Sequence, residues 1–195
     1  MDISIKSMKR FFSLVLYYGF AQYLPDSYSP VLGKISNWLR VVCVKNIFKK
    51  CGRIRTINRL VSFDSGRNVE MGDESGIGAR THIPSNTIIG NHVIISRDCY
   101  LWHANHKFDR TDIPLNDQGV GPTLTTVIED DCWIGMRSLL TPGRHVYTGT
   151  VVGMGSVLTK DFPPYSIVGG APAKLIRSRL SDKDNTCVQQ SPSSL

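Results

Sequence analysis

The sequence predicts an all-β fold, one chain wound into a parallel β-helix of six-residue repeats, on three observations. First, Met71, Ile77, Ile83, Ile89, Ile95 and Leu101 lie six apart, and Ile128, Ile134, Leu140, Val146, Val152 and Leu158 resume the spacing after a gap. With 41% of the chain hydrophobic, chance fills twelve such positions about twice in a hundred thousand trials, so the spacing is a structural repeat. Second, a companion series four residues on is small at nine of twelve places: Ser75, Thr81, Thr87, Val93, Cys99, Asn105, Cys132, Ser138, Arg144, Thr150, Ser156 and Phe162, with Asn105, Arg144 and Phe162 the exceptions. Third, an α-helix turns roughly 100° per residue, so positions six apart scatter over three faces and cannot share a core. A coil of three short strands and three bends instead stacks them into inward columns.

Taken in order, residues 1–62 read as a basic helical extension. A first helix over 4–24 stops before Pro25. A second runs over 30–50, with Ser29 as N-cap, Pro30 at the first helical position and Gly52 at the end. Val31, Ile35, Trp38 and Val42 recur at helical spacing, and packing is expected for them and for the aromatics of the first helix. The run Phe11–Phe20 follows Lys6, Lys9 and Arg10 like a signal peptide. It lacks a small-residue cleavage site and breaks at Gln22 and Pro25–Asp26. About ten apolar residues are too few to cross a bilayer, so a packed or interfacial helix is expected.

Charge is uneven. Residues 1–60 hold eleven Lys and Arg against two Asp and Glu, and the rest hold twelve against fourteen. Such a surplus suits an anionic membrane touched by residues 1–25, an acidic glycan, or simply a solvated helix surface. Nucleic acid is not expected, because no recognised binding motif accompanies the charge.

Residues 63–165 are assigned to the solenoid. Eighteen residues make one coil, so 71–106 supplies two coils and 128–163 two more. Ile57, Phe63 and Val69 keep the spacing in a different register, which leaves an earlier coil open. Glycines at 72, 78, 90, 135 and 153 directly follow a core aliphatic, where a side chain would crowd the bend. The polar stretch 107–127 interrupts the repeat as a long loop thrown from one corner, and such loops are more often functional than not. Residues 166–180 form a C-terminal segment, and the aperiodic 181–195 is expected to be disordered. The five cysteines, at 43, 51, 99, 132 and 187, make no CxxC pair and read as reduced thiols of a cytoplasmic protein.

Three stretches carry a family resemblance: CWIGMRSLLTPG at 132–143, VVGMGSVLTKDFPPYSIVGGAPAKLIR at 151–177, and LWHANH at 101–106. Over about residues 66–180 they resemble the hexapeptide-repeat acetyltransferases, including the maltose, galactoside and nodulation-factor enzymes. The basic helical N-terminus is more similar to bacterial polysaccharide O-acetyltransferases. The resemblance implies a left-handed β-helix and a homotrimer with an active site in each groove between subunits. It also implies transfer of acetyl from acetyl-CoA to a hydroxyl of a sugar or polysaccharide precursor. Three residues depart from the pattern. Met154 stands for the usual Ala of "GAGS", and Arg144 and Tyr147 replace Val and Gly of "PGVxIG", which predicts an irregular coil there.

The chemistry needs a base, because a sugar hydroxyl is a poor nucleophile until it loses its proton. A neutral imidazole suits that task near pH 7. His106 aligns with the family histidine and opens the long loop, so it is the candidate catalytic base. His103, Asn105 and Asp109 are candidates for contacting the acceptor. By resemblance Trp133, Met136, Met154, Thr159 and Lys160 line the pantetheine groove, while Lys174 and Arg177 reach the nucleotide phosphates. His82, His92 and His145 read as surface residues at turns, and Cys99 and Cys132 as packing rather than nucleophiles.

Other readings stay in view. A γ-type carbonic anhydrase needs three zinc-binding histidines with an H-x4-H pair, whereas His103 and His106 are spaced H-x2-H, so no metal is expected. Serine acetyltransferases carry a longer helical domain and lack this loop. An antibiotic acceptor and a non-catalytic β-helix scaffold are the remaining alternatives.

Overall fold

The computed structural model describes residues 5–180. Its N-terminus is an antiparallel helix pair, α1 (Ile5–Gly19) and α2 (Gly33–Ile47), joined through a short 3-10 turn at Ala21–Tyr23. From Lys50 to residue 180 the chain is coil, strand and bend, apart from a 3-10 turn at Leu115–Asp117. Three parallel sheets of two-residue strands form the walls of a triangular prism. The first wall stacks Lys50–Cys51, Glu70–Met71, Ile88–Ile89, Val127–Ile128 and His145–Val146. The second stacks Thr56–Ile57, Gly76–Ile77, Ile94–Ile95, Trp133–Ile134, Val151–Val152 and Ser166–Gly169, and is closed by the antiparallel strand Lys174–Ser178. The third stacks Tyr100–Leu101, Leu139–Leu140 and Val157–Leu158, continued downward by the bridges Tyr100 to His82 and His82 to Ser62.

The predicted columns are the core. All twelve six-spaced aliphatics are 3% exposed or less, each removing apolar surface worth roughly 1.5–3 kcal/mol from water. The small residues fill the corners, and several of their hydroxyls satisfy corner carbonyls. Ser75 Oγ donates to Gly90 O at 2.7 Å, Thr81 Oγ1 to Ser96 O at 2.9 Å, and Ser138 Oγ to Gly135 O at 2.7 Å. Cys99 and Cys132 sit buried in the same column, where burial pushes both thiols up, Cys132 to about 11. Three residues past the inward aliphatic, the bend enters the left-handed region. Glu74, Arg80, His92, Asp98, Asp131 and Arg137 do so with a side chain, and Gly143, Gly149 and Gly155 without one. Each non-glycine case costs about 1–2 kcal/mol, which the stacked ladder and filled core must offset. Gly78 answers a different need. A Cβ there would run into the backbone of Ser96 and Arg97 in the next coil, so coils at that corner approach too closely for any side chain.

Several expectations need correction. The solenoid starts at Lys50, not 63. Lys50 pairs with Glu70 and Thr56 with Gly76, steps of 20, whereas Glu70 pairs with Ile88, a step of 18. Two extra residues in the bend after Phe63 explain why Ile57 and Phe63, both fully buried, kept the spacing but lost the register. Asn105 is not in the small column, because the loop carries it outside and buried Thr126 takes its place before Val127. The coil bearing Arg144 and Tyr147 is regular, with His145–Val146 in register on Val127–Ile128. Arg144 leans out to Thr159 O at 3.1 Å and Asp161 at 3.2 Å, so a large residue fits without distorting the bend. His82 and His145 lie on wall positions, and only His92 of the three occupies a turn. Cys187 and the tail 181–195 lie outside the described residues.

The helices also depart from expectation. Helix α2 begins at Gly33 after Leu32, which gives no side-chain cap, and Ser29 is used instead as a turn carbonyl accepting from Gly33 N at 3.0 Å. The side of α2 that packs is Ser36, Arg40, Cys43, Val44 and Ile47. Trp38, Val31, Ile35 and Val42 face outward, as do Phe11 and Phe12 of α1, so the packing expected of them is not found. Tyr17 does pack, 4.7 Å from the Phe63 ring, and donates its hydroxyl to Val61 O at 2.9 Å. The helix pair thereby plugs the open end of the first coil. Fully buried Arg40 locks it there, donating to Ile57 O at 2.7 Å, to Ala21 O and Leu24 O at 3.2 Å, and to Pro25 O at 3.1 Å.

Candidate functional site

The one long departure from the coil leaves the corner between the third and first walls, just after Leu101. Its two limbs are zipped at the base. Leu124 N donates to His103 O at 2.7 Å, Gly121 N to Asn105 O at 2.8 Å and Lys107 N to Gly119 O at 3.0 Å, with His106 bridged antiparallel to Val120. The tip is braced separately. Gln118 accepts from Arg110 N at 3.1 Å and donates to Arg110 O at 2.8 Å, and Arg110 pairs with Asp112. Hydrogen bonds at base and tip restrain the loop on which His106 sits.

His106 sits on this clasp, exposed, on a hollow of about 480 Å³ lined by Asn105, His106, Phe108, Leu115 and Asn116. The sequence brought out His106 and Asn105 and missed the other three. The available signal was two large apolar residues, Phe108 and Leu115, stranded in an otherwise polar loop. Asp109 is exposed and does not line the hollow. His103 also turns away. Its ring tilts against Trp102 at 5.4 Å between centroids, and its Nδ1 is buried without a partner.

Trp102 continues an aromatic column on the outside of the third wall, stacked on Tyr100 at 5.7 Å, which stacks on His82 at 4.6 Å. His82 is fixed from below, with Nδ1 2.9 Å from Ser62 Oγ, and its Nε2 is buried without a hydrogen bond, 4.0 Å from Asp64 Oδ1. Burial, with His103 adding to it and Asp64 opposing, holds this imidazole below the ordinary histidine value. A second histidine, His145, is paired instead: Nε2 lies 2.7 Å from Glu129 Oε1 and its ring stacks on Tyr147 at 4.0 Å. Burial alone would raise the Glu129 carboxyl, but donation from Thr148 and His145 outweighs it and holds the carboxyl low.

The residues that resemblance assigned to the co-substrate fall into two groups. Trp133 faces outward on the second wall, half exposed, its Nε1 donating to Ser96 Oγ at 3.2 Å. Met136 and Met154 occupy successive coils at the corner between the second and third walls, where Gly155 N donates to Met136 O at 2.8 Å. Lys174 and Arg177 are exposed on the last strand, beside Gly169 and Ile167 at the end of the second wall. Thr159 and Lys160 belong to the other corner, the one bearing the loop, where Lys160 Nζ lies 5.5 Å from the Phe162 ring centroid. One copy of the chain therefore does not gather the set into one pocket. His106, Thr159 and Lys160 share one edge of the prism, and Met136 and Met154 mark another. Among the described residues, no three His, Cys, Asp or Glu side chains converge as a metal site.

No protein-family model matches the chain. Individual proteins do. A putative acetyltransferase of Schizosaccharomyces pombe is 34% identical over 119 residues, 60% of this chain and 56% of that protein. A chloramphenicol acetyltransferase of Agrobacterium fabrum is 48% identical over 64 residues, 33% of this chain and 31% of that one. The chain thus spans at most about half the length of these curated relatives. Among solved structures, a galactoside acetyltransferase in complex with coenzyme A superposes with a TM-score of 0.71 at 25% identity, covering 95% of this chain and 88% of its own. Coiled walls, terminal motifs and relatives agree: the chain has the left-handed β-helix fold of the hexapeptide-repeat acetyltransferases and is similar to them in sequence.

Proposed function

We propose that this protein transfers acetyl from acetyl-CoA to a hydroxyl of a sugar or polysaccharide precursor, with His106 as general base. The observation that carries this reading is an exposed imidazole set on a braced loop beside a hollow that mixes amide and apolar walls. Asn105 and Asn116 offer donors and acceptors matched to hydroxyls, while Phe108 and Leu115 suit the C–H face of a pyranose. Neutral His106 takes the proton of the acceptor hydroxyl as its oxygen bonds to the thioester carbonyl carbon. It then returns that proton to the departing sulfur as the C–S bond breaks. Binding both reactants together supplies proximity, and a backbone N–H stabilises the developing oxyanion.

Trp133, Met136, Met154, Thr159 and Lys160 are proposed to hold the pantetheine arm, and Lys174 and Arg177 the phosphates. Asn105 is proposed as an acceptor contact on the geometric support just given, and His103 and Asp109, which do not line the hollow, only as contacts to parts of the acceptor beyond it. Because the two groups lie on different edges, the complete groove is proposed to form between neighbours in a homotrimer. The protein is placed in the cytoplasm, with residues 1–25 touching the membrane surface. The proposed organisation keeps the helical extension, the solenoid with its 107–127 loop, and a CoA-proximal segment at 166–180.

His106→Ala is expected to lower kcat by about 10²–10⁴-fold with an unchanged circular-dichroism spectrum. Full turnover in that variant rejects the base assignment and favours a scaffold. Labelled acetyl-CoA offered with a glycan panel identifies the acceptor. The short, highly identical stretch shared with a chloramphenicol acetyltransferase supports a second reading, a hydroxylated antibiotic, so such compounds belong in the panel. Zinc-dependent bicarbonate formation would instead support the carbonic-anhydrase reading.

A further inference from the structure

Fourteen of the 27 exposed large hydrophobic residues among those described fall between Ile5 and Val42. They are not scattered. On α1 the outward stripe is Met8, Phe12 and Val15, and on α2 it is Ile35, Trp38 and Val42, each three or four residues apart. Phe12 and Trp38 are 66% and 63% exposed. Arg10 Nε on α1 donates to Ile47 O at the end of α2, while Arg40 on α2 reaches Ala21 beyond α1, so the helices run antiparallel. A groove of about 610 Å³, lined by Met8 and Phe12 from α1 and Asn46 from α2, joins them on the outer side. An apolar expanse of this kind marks an interaction surface.

Charge selects the occupant. Between residues 5 and 50 there are eight Lys and Arg and one acid, Asp26. That acid is already engaged, accepting from Tyr28 N at 2.9 Å and Asn58 Nδ2 at 3.2 Å. Lys6, Lys9, Lys34 and Lys45 are all exposed around the stripes. A second copy of the chain would bring like charges together with no carboxylate to answer them. An anionic lipid surface answers both features, taking aromatic and aliphatic side chains at the acyl boundary and ammonium groups at the headgroups. At 15 residues each, the helices are about 22 Å long and cannot span a hydrocarbon core of about 30 Å. They lie flat.

We infer that α1 and α2 together form a platform that docks the protein on an anionic bilayer, with Trp38 and Phe12 as its apolar anchors. This extends the membrane contact proposed for residues 1–25 to the second helix, and it stands independently of the acetyl-transfer reading. The test is flotation of the full chain with phosphatidylcholine vesicles, with or without phosphatidylglycerol. Binding is expected only to the phosphatidylglycerol vesicles and is expected to weaken with added salt. Phe12→Glu and Trp38→Glu, singly and together, should each cut the bound fraction severalfold. Acetylation of a soluble acceptor and the sedimentation coefficient should stay unchanged, since neither residue touches the proposed site. No flotation with anionic vesicles, or undiminished binding by Trp38→Glu, overturns the platform. A change in sedimentation assigns the face to contacts between copies instead and overturns it equally.

Discussion

His82 shows how one side chain can tie stability to pH. Its Nδ1 is engaged by Ser62, its ring lies under Tyr100, and its Nε2 is buried without a hydrogen bond, 4.0 Å from the Asp64 carboxylate, which only partly offsets burial. Protonation is therefore easier in the unfolded chain, where histidine titrates near 6.5. The folded value lies below the unfolded one, so the stability this residue contributes is present above about pH 6.5 and lost as pH falls below it. Urea midpoints measured at pH 7.5 and 5.5 should fall on acidification. The drop should shrink in His82→Gln, and an unaltered pH dependence in that variant contradicts the account. Arg40 works by geometry alone. Its guanidinium is fully buried and donates to four backbone carbonyls. Arg40→Met keeps the stem and strips the donors, at a cost of about 2–4 kcal/mol in urea unfolding. A loss below about 0.5 kcal/mol would mean that water replaces the guanidinium.

At the scale of the corner, two glycines separate crowding from backbone conformation. Gly78 has ordinary φ but no room, because a methyl group would meet the backbone of the coil above it. Gly155 has room on every side but sits at φ +69. Gly78→Ala must push two coils apart, which overpacking data place at about 3 kcal/mol. Gly155→Ala meets only the left-handed penalty of about 1 kcal/mol. Thermal unfolding of the two variants should rank them in that order, and the reverse ranking would dismiss close coil stacking as the reason for Gly78. These corners also show what the sequence could and could not disclose. A period of six is a property of the backbone, so the walls, the small-residue column and the loop were readable from Met71 to Leu158. The start at Lys50 was hidden because two added residues after Phe63 shift the register without breaking the core. The exposure of Trp38 was hidden for another reason. Helical spacing reports that a stripe is apolar, not which side it turns to, and on α2 the packed side is carried partly by Ser36 and Arg40. At the site, alignment could bring out His106. The wall made by Phe108 and Leu115 depends on how the loop folds back over Asn105, which no spacing encodes.

For the whole molecule the decisive feature is that the proposed machinery occupies two edges of one prism. The loop with His106 leaves the corner between the third and first walls, while Met154 stands exposed at the corner between the second and third. Tyr100 and Leu139 leave apolar side chains exposed on the third wall between these edges, and Ile94 and Trp133 do so on the second wall beyond the Met154 edge. In the proposed trimer, one copy's loop edge would meet the next copy's Met154 edge, and both halves of a site would come from different chains. This makes a mixing prediction. His106→Ala lacks the base, and Met154→Trp fills the proposed pantetheine channel, so each alone should be nearly inactive. Unfolded together in equal amounts and refolded, they should regain about a quarter of wild-type activity, because random assembly places an intact loop edge beside an intact Met154 edge at one site in four. Mixing without subunit exchange should give nothing. If the site were built within a single chain, the co-refolded mixture would stay as inactive as its parents, whatever its oligomeric state.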